Sequence, residues 1–135
     1  MIIGIGVDLV DIRRLERLMK QYGSRFINRI FTASEQAYAE QNASTIKAYA
    51  NRFAAKEAAA KALGTGMAEG IGWKDIEVLR AQSGAPSLCF HGKALQHLAS
   101  RIPSGYISHN HISFSDEPPY STAFVVLSAT LPPKK

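Results

Sequence analysis

A chain of 135 residues is too short for two ordinary domains and long enough for a hydrophobic core. Apolar residues make up 46% and charged residues 20%, which excludes wholesale disorder and low-complexity architecture. Sixteen Lys+Arg against eleven Asp+Glu give a net charge of +5. That balance points to an acidic or phosphorylated partner without choosing among nucleic acid, a nucleotide cofactor and an acidic protein.

The one cysteine, Cys89, cannot form an internal disulfide, and this usage fits a reducing compartment, here the cytoplasm. No apolar run approaches the roughly 18 residues of a membrane span, and the start shows no signal-peptide pattern. Residues 1–130 read as one domain, with 131–135 as a frayed tail.

Residues 2–10 read as a strand. Ile3, Ile5, Val7 and Leu9 alternate as a buried face would, leaving Gly4, Gly6 and Asp8 opposite. Two glycines beside a carboxylate leave open space next to a charge, where a ligand or another backbone can approach. Asp11 is placed to cap a helix running to about Tyr22. Its apolar face is Ile12, Leu15, Leu18, Met19 and Tyr22, and Arg13, Arg14, Arg17 and Lys20 gather opposite. Thr32-Ala33-Ser34-Glu35 has capping-box spacing and predicts another helix start. A longer, alanine-rich helix is expected over 44–63, ended by Gly64.

A Gly-rich loop follows to Gly72. Strands are then expected over 74–80 and 87–90 around a turn at 82–86, and a helix over 93–101. Two closing strands, about 106–115 and 121–129, are joined across Pro118-Pro119. The order lacks regular βαβ alternation, so the fold class is α+β with an antiparallel sheet packed on the long helix.

The densest chemical signal is Arg52-Phe53-Ala54-Ala55-Lys56-Glu57-Ala58-Ala59-Ala60-Lys61-Ala62-Leu63-Gly64-Thr65-Gly66. Glu57 and Lys61 are four apart and share a helical face; Arg52 and Lys56 form a second such pair. A solvated surface pair is the plain reading. Against it, alanines around Glu57 and Lys61 let another element approach closely, and Gly-Thr-Gly can lay backbone against a ligand. If the first strand packs on this helix, Asp8 and Glu57 converge. Two carboxylates with waters and a pyrophosphate make an Mg²⁺ arrangement, and Lys61 would neutralise phosphate charge.

Other signals are thinner. His109 and His111 face the same way on a strand but lack a third zinc ligand. Ser113 and Ser115 alternate with Ile112 and Phe114, as hydroxyls on a half-exposed strand or as a polar wall beside a ligand. Without a Gly-x-Ser-x-Gly turn they are not read as nucleophiles. Cys89 is expected in the core. The basic first helix can be solvated, touch phosphates or dock an acidic protein, and no nucleic-acid-binding motif accompanies it.

Gly4-Ile5-Gly6-Val7-Asp8-Leu9-Val10, a basic helix, and Arg52 to Gly66 in this order resemble the holo-[acyl-carrier-protein] synthases, small 4′-phosphopantetheinyl transferases. The resemblance extends through Asp75-Ile76-Glu77-Val78, Gly84-Ala85-Pro86 and His111-Ile112-Ser113-Phe114-Ser115. It implies that fold, and transfer of 4′-phosphopantetheine from coenzyme A to a serine of apo-acyl carrier protein, releasing adenosine 3′,5′-bisphosphate.

The resemblance also implies roles. Asp8 and Glu57 would hold Mg²⁺, and Lys61 would contact the pyrophosphate. Coenzyme A contact would involve Lys61, Arg52, Gly64, Pro86 and Ser113. Arg13, Arg14, Arg17, Lys20 and Arg25 would dock the carrier protein. A homotrimer with active sites between subunits is implied as well. Glu57, directly or through a metal-bound water, is the candidate base for the carrier serine. Some members have Ser-His or Thr-His where this chain has Ser115-Asp116-Glu117, so no histidine role transfers there. The rival readings are a non-catalytic module binding coenzyme A or an acidic protein, and a nucleic-acid-binding domain.

Overall fold

Eleven residues at the start set the plan. The computed structural model, which describes residues 1–134, opens with strand β1, Ile2–Asp11. Its glycine face lies against the long helix α4, Thr45–Leu63. A Cβ built on Gly4 would stand 1.8 Å from the carbonyl oxygen of Ala62, and one on Gly6 would stand 1.8 Å from that of Ala58. Only hydrogen fits at these two positions. The helix answers with Ala54, Ala55, Ala58, Ala59 and Ala62, all buried. Small residues on both elements bring two backbones together at interior packing density.

This contact reverses one expectation. The apolar row Ile5, Val7 and Leu9 is the exposed face of β1, at 57%, 53% and 65% exposure. The glycine row, with Asp8 and Val10, faces inward. Alternation alone identifies two faces; backbone proximity decides which one is covered.

The remaining elements are α1 (Ile12–Tyr22), α2 (Ser24–Ile30), α3 (Ala33–Gln41), β2 (Ile76–Arg80), β3 (Pro86–Phe90), α5 (Gly92–Arg101), β4 (Ile107–Glu117) and β5 (Tyr120–Thr130). A single 3₁₀ turn, Trp73–Asp75, precedes β2 where strand was expected. Sheet order is β1-β5-β4, all antiparallel, with Asp8 opposite Ala123 and His111 opposite Val126. β2 and β3 form a second antiparallel pair. Asn110 stitches it to β4, accepting from Leu88 N at 2.9 Å and donating to Leu88 O at 3.0 Å.

The caps follow the sequence. Asp11 Oδ1 accepts from Arg13 N at 3.0 Å. Thr32 and Glu35 close a reciprocal capping box on α3. Gly64 ends α4 at φ +87°. The core lies between α4 and the inner face of the three-stranded sheet, with Val125 and Leu127 at its centre. Helix α2 has no counterpart in the sequence reading. Cys89, expected in the core, is half-buried on the outer face of the β2–β3 pair, opposite Glu77. Leu131–Lys134 form neither helix nor strand, and the Lys135 end of the tail lies outside the described residues. Among the described residues, no helix is long and apolar enough to cross a membrane.

Candidate active site

The close β1–α4 contact brings Asp8, Glu57 and Lys61 together. Asp8 follows Gly4 and Gly6 on the inward row, two residues beyond the last glycine. Glu57 and Lys61 project one turn apart from the flank of α4. Lys61 Nζ donates to Asp8 Oδ1 at 3.1 Å and to Val7 O at 3.0 Å. The three side chains line a cleft of ≈ 200 Å³ with Leu9, Val10, Arg14 and Phe53. Arg14 enters from α1, so the basic helix forms one wall of this cleft.

The electrostatics are those of two acids sharing a confined space. Burial pushes the Glu57 carboxyl up, and the neighbouring Asp8 charge pushes it further; Lys61 and Arg14 oppose this. A cation between the acids would relieve their repulsion. Among the described residues, no group of three His, Cys, Asp or Glu converges on a metal position. Two carboxylates suit a hard ion that keeps several waters, which is the habit of Mg²⁺, and not the closed tetrahedral habit of structural zinc.

The other expected site residues lie elsewhere in the chain. Arg52 is 2% exposed on the opposite side of α4 from Glu57. Its guanidinium carbon lies 3.9 Å from the Tyr38 ring centroid, and Nη1 donates to Ala48 O at 3.2 Å. Its Nε is buried without a partner. Pro86 pairs with Arg80 at the end of the β2–β3 ladder, and Arg80 lies 5.0 Å over the same Tyr38 ring. Arg52 and Pro86 thus belong to one neighbourhood through Tyr38 and Arg80, apart from the acidic cleft. Gly64 sits beside Arg101. Ser113 is on the outer sheet face, opposite Phe124.

Arg13 is clasped by Asp11, with Nη2 to Oδ2 at 2.8 Å. Arg14, Arg17 and Lys20 are exposed along α1. Arg25 lines a separate groove where α1 meets α2, with Tyr22, Phe26 and Arg29. His109 and His111 share the outer face and bond Thr130 Oγ1 and Ser128 Oγ at 2.8 and 3.1 Å.

Sequence reasoning passed over Phe53, Val7 O, Tyr38, Arg80 and Arg101. Phe53 stacks on Trp73 at 5.0 Å and floors the cleft. Arg101 donates to Ala62 O at 2.9 Å and to Ile3 O at 2.5 Å, tying α4 to β1. A backbone carbonyl and a distant arginine leave no local pattern. The aromatic Phe53, one residue beyond Arg52, was the one legible signal.

Residues 4–119 match the family described as the 4′-phosphopantetheinyl transferase superfamily. The chain belongs to that superfamily. A holo-[acyl-carrier-protein] synthase of a Methylobacterium species is 50% identical over 129 residues, 96% of this chain and 96% of its own. The crystal structure of the Neisseria meningitidis holo-[acyl-carrier-protein] synthase matches with a TM-score of 0.81 and 36% identity, over 95% of this chain and 99% of that one. A Bacillus anthracis holo-(acyl-carrier-protein) synthase in complex with CoA (3′,5′-ADP) matches at 0.72 and 32%, over 94% and 96%. The α+β fold is therefore the phosphopantetheinyl transferase fold.

Proposed function

We infer that the chain transfers 4′-phosphopantetheine from coenzyme A to a serine hydroxyl of apo-acyl carrier protein, as a step of fatty acid biosynthesis in the cytoplasm. The reading is carried by one observation: Asp8, Glu57 and Lys61 meet in a cleft walled by Arg14 of the basic helix. The relatives' names support the reaction, and the coenzyme A in the Bacillus anthracis complex supports the donor.

Asp8 and Glu57 would hold Mg²⁺, which when bound supplies positive charge to the donor pyrophosphate. The serine oxygen forms a new bond to the phosphorus that carries pantetheine. The bond from that phosphorus to the bridging oxygen breaks, and adenosine 3′,5′-bisphosphate leaves with the electron pair. Lys61, reaching into the cleft on a flexible stem, stabilises charge on the phosphate oxygens. Glu57, directly or through a water, would take the serine proton. Pro86, Gly64 and Ser113 would contact coenzyme A, and Arg52, buried against Tyr38, would hold the coenzyme A region in place without reaching the ligand. Arg13, Arg14, Arg17, Lys20 and Arg25 present cations to the acidic carrier protein and speed its encounter.

The outer sheet face supports assembly of copies. Ile5, Val7, Leu9 and Phe124 expose about half or more of their surface on adjacent strands. Such a contiguous apolar face marks an interaction surface. We assign it to a homotrimer, with Ser113 on that same face placed to complete a neighbour's site. Light scattering on Phe124→Lys should show a smaller species than the parent chain. An unchanged mass would remove this assignment.

The decisive experiment mixes the protein with apo-carrier protein, coenzyme A and Mg²⁺ and follows carrier mass. Gain of one phosphopantetheine group is expected. No gain with any divalent metal would leave a non-catalytic binding module. Reversing charge at Arg14 and Arg17 should raise KM for the carrier several-fold and leave KM for coenzyme A nearly constant. Equal shifts in both would remove the docking role.

A further inference from the structure

This inference rests on the reading of Asp8 and Glu57 as the Mg²⁺ ligands. Lys61 occupies a position a divalent cation would want. Its ammonium draws on two oxygens at once, Asp8 Oδ1 at 3.1 Å and Val7 O at 3.0 Å. Carboxylate and backbone carbonyl oxygens are the donors that hard cations take. Among the described residues, no other cation lies within ion-pair distance of Asp8. The neighbouring carboxylate of Glu57 repels it, so the cleft needs positive charge when metal is absent. The Lys61 side chain is 51% exposed while Asp8 is 17% exposed. The lysine end of the pair is therefore the one free to leave.

We propose that Lys61 is the resident counter-ion of Asp8 in the metal-free protein, displaced when a divalent cation binds and so released toward the phosphates. One ammonium then serves two stages. Before loading it neutralises the acid on β1. After loading, repulsion by the incoming cation drives it off Asp8, and its four-carbon stem lets it swing to the next available anion. Metal loading and phosphate engagement become one coupled exchange. The lysine opposes metal affinity and favours the reacting complex.

The test is direct binding of Mn²⁺ to the full chain without coenzyme A, read from the electron paramagnetic resonance signal of the free ion. Lys61→Met should bind Mn²⁺ roughly three- to tenfold more tightly than the parent, because a competing charge a few ångströms away is gone. Lys61→Arg keeps the charge and should stay within about twofold of the parent. Asp8→Asn should lose the site. Lys61→Gln is the second neutral variant, and circular dichroism checks that each variant folds. Equal or weaker Mn²⁺ binding by both neutral variants, with Asp8→Asn still abolishing it, overturns the counter-ion role and leaves the metal reading standing. Binding absent from the parent, or undiminished in Asp8→Asn, overturns the metal reading and this inference with it.

Discussion

Two lysines five residues apart on α4 make opposite use of the same chemistry. Lys56 and Lys61 are separated by roughly 140° around the helix. Each meets a carboxylate, at 2.8 Å from Glu35 and 3.1 Å from Asp8. Lys56 and Glu35 are both fully buried. Lys56 Nζ spends its remaining donors on Trp73 O and Ile76 O, at 3.0 and 2.5 Å. Glu35 accepts from Thr32 N and Val78 N, each at 2.8 Å. Burial pushes the Lys56 ammonium down from its ordinary range, and the Glu35 charge opposes that. These bonds join α4 to α3, the Trp73–Asp75 turn and β2, and one closes the cap of α3. The Lys61 pair lies in an open cleft and shares its acid with a second carboxylate. A saturated pair fixes position; an unsaturated one can change partners.

The largest effect should fall on chemistry at the open pair. Glu57→Ala or Asp8→Ala should lower turnover on the order of a thousandfold with little change in Tm. Near-normal rates at limiting Mg²⁺ would remove these residues from the mechanism. Stability should show the reverse. Lys56→Met leaves Glu35 buried and unpaired, and urea titration should find a loss of about 3–5 kcal/mol. Adding Glu35→Met to it should recover only part of that loss, because Thr32 N and Val78 N then lose their acceptor. Lys61→Ala should cost less than about 1 kcal/mol, since its partner bond is half in water. A larger loss would mean the two lysines do not differ as described.

The surface Asp11–Arg13 pair gives the smallest effect and sets the lower end of the comparison. The side-chain bond from Arg13 holds the Asp11 carboxyl down from 3.8 to about 2. A lowered folded value means the stabilisation is complete above the ordinary value and is lost as pH falls toward 2. Far-ultraviolet circular dichroism of the parent should show this loss between about pH 4 and pH 2. Asp11→Asn should lack that component.

Much was legible where one element carries its own signal. The Asp11 cap, the Thr32–Glu35 capping box and the Gly64 terminus each rest on bonds within a few residues, and the helices start or stop there. The pairing of Asp8 with Glu57 followed from small residues on both elements. Face assignment of β1 failed because hydrophobicity was weighed above size. Gly4 and Gly6 are inward because the α4 backbone occupies the space, and Ile5, Val7 and Leu9 are left outside. Arg52 and Lys56 read as a second four-residue pair on the helix, and both point into the protein. Their burial depends on Tyr38, Glu35 and the β2 carbonyls, which come from segments far along the chain.

The sequence by itself determined the family likeness and the element order apart from α2, because local bonding and residue chemistry are written residue by residue. Tertiary structure alone decided which lysine became a rivet and which remained available. It also decided which face of β1 was covered, and that a valine carbonyl shares the ammonium of Lys61 with Asp8. Those outcomes depend on distances between backbones remote in sequence, set here by two missing side chains at Gly4 and Gly6.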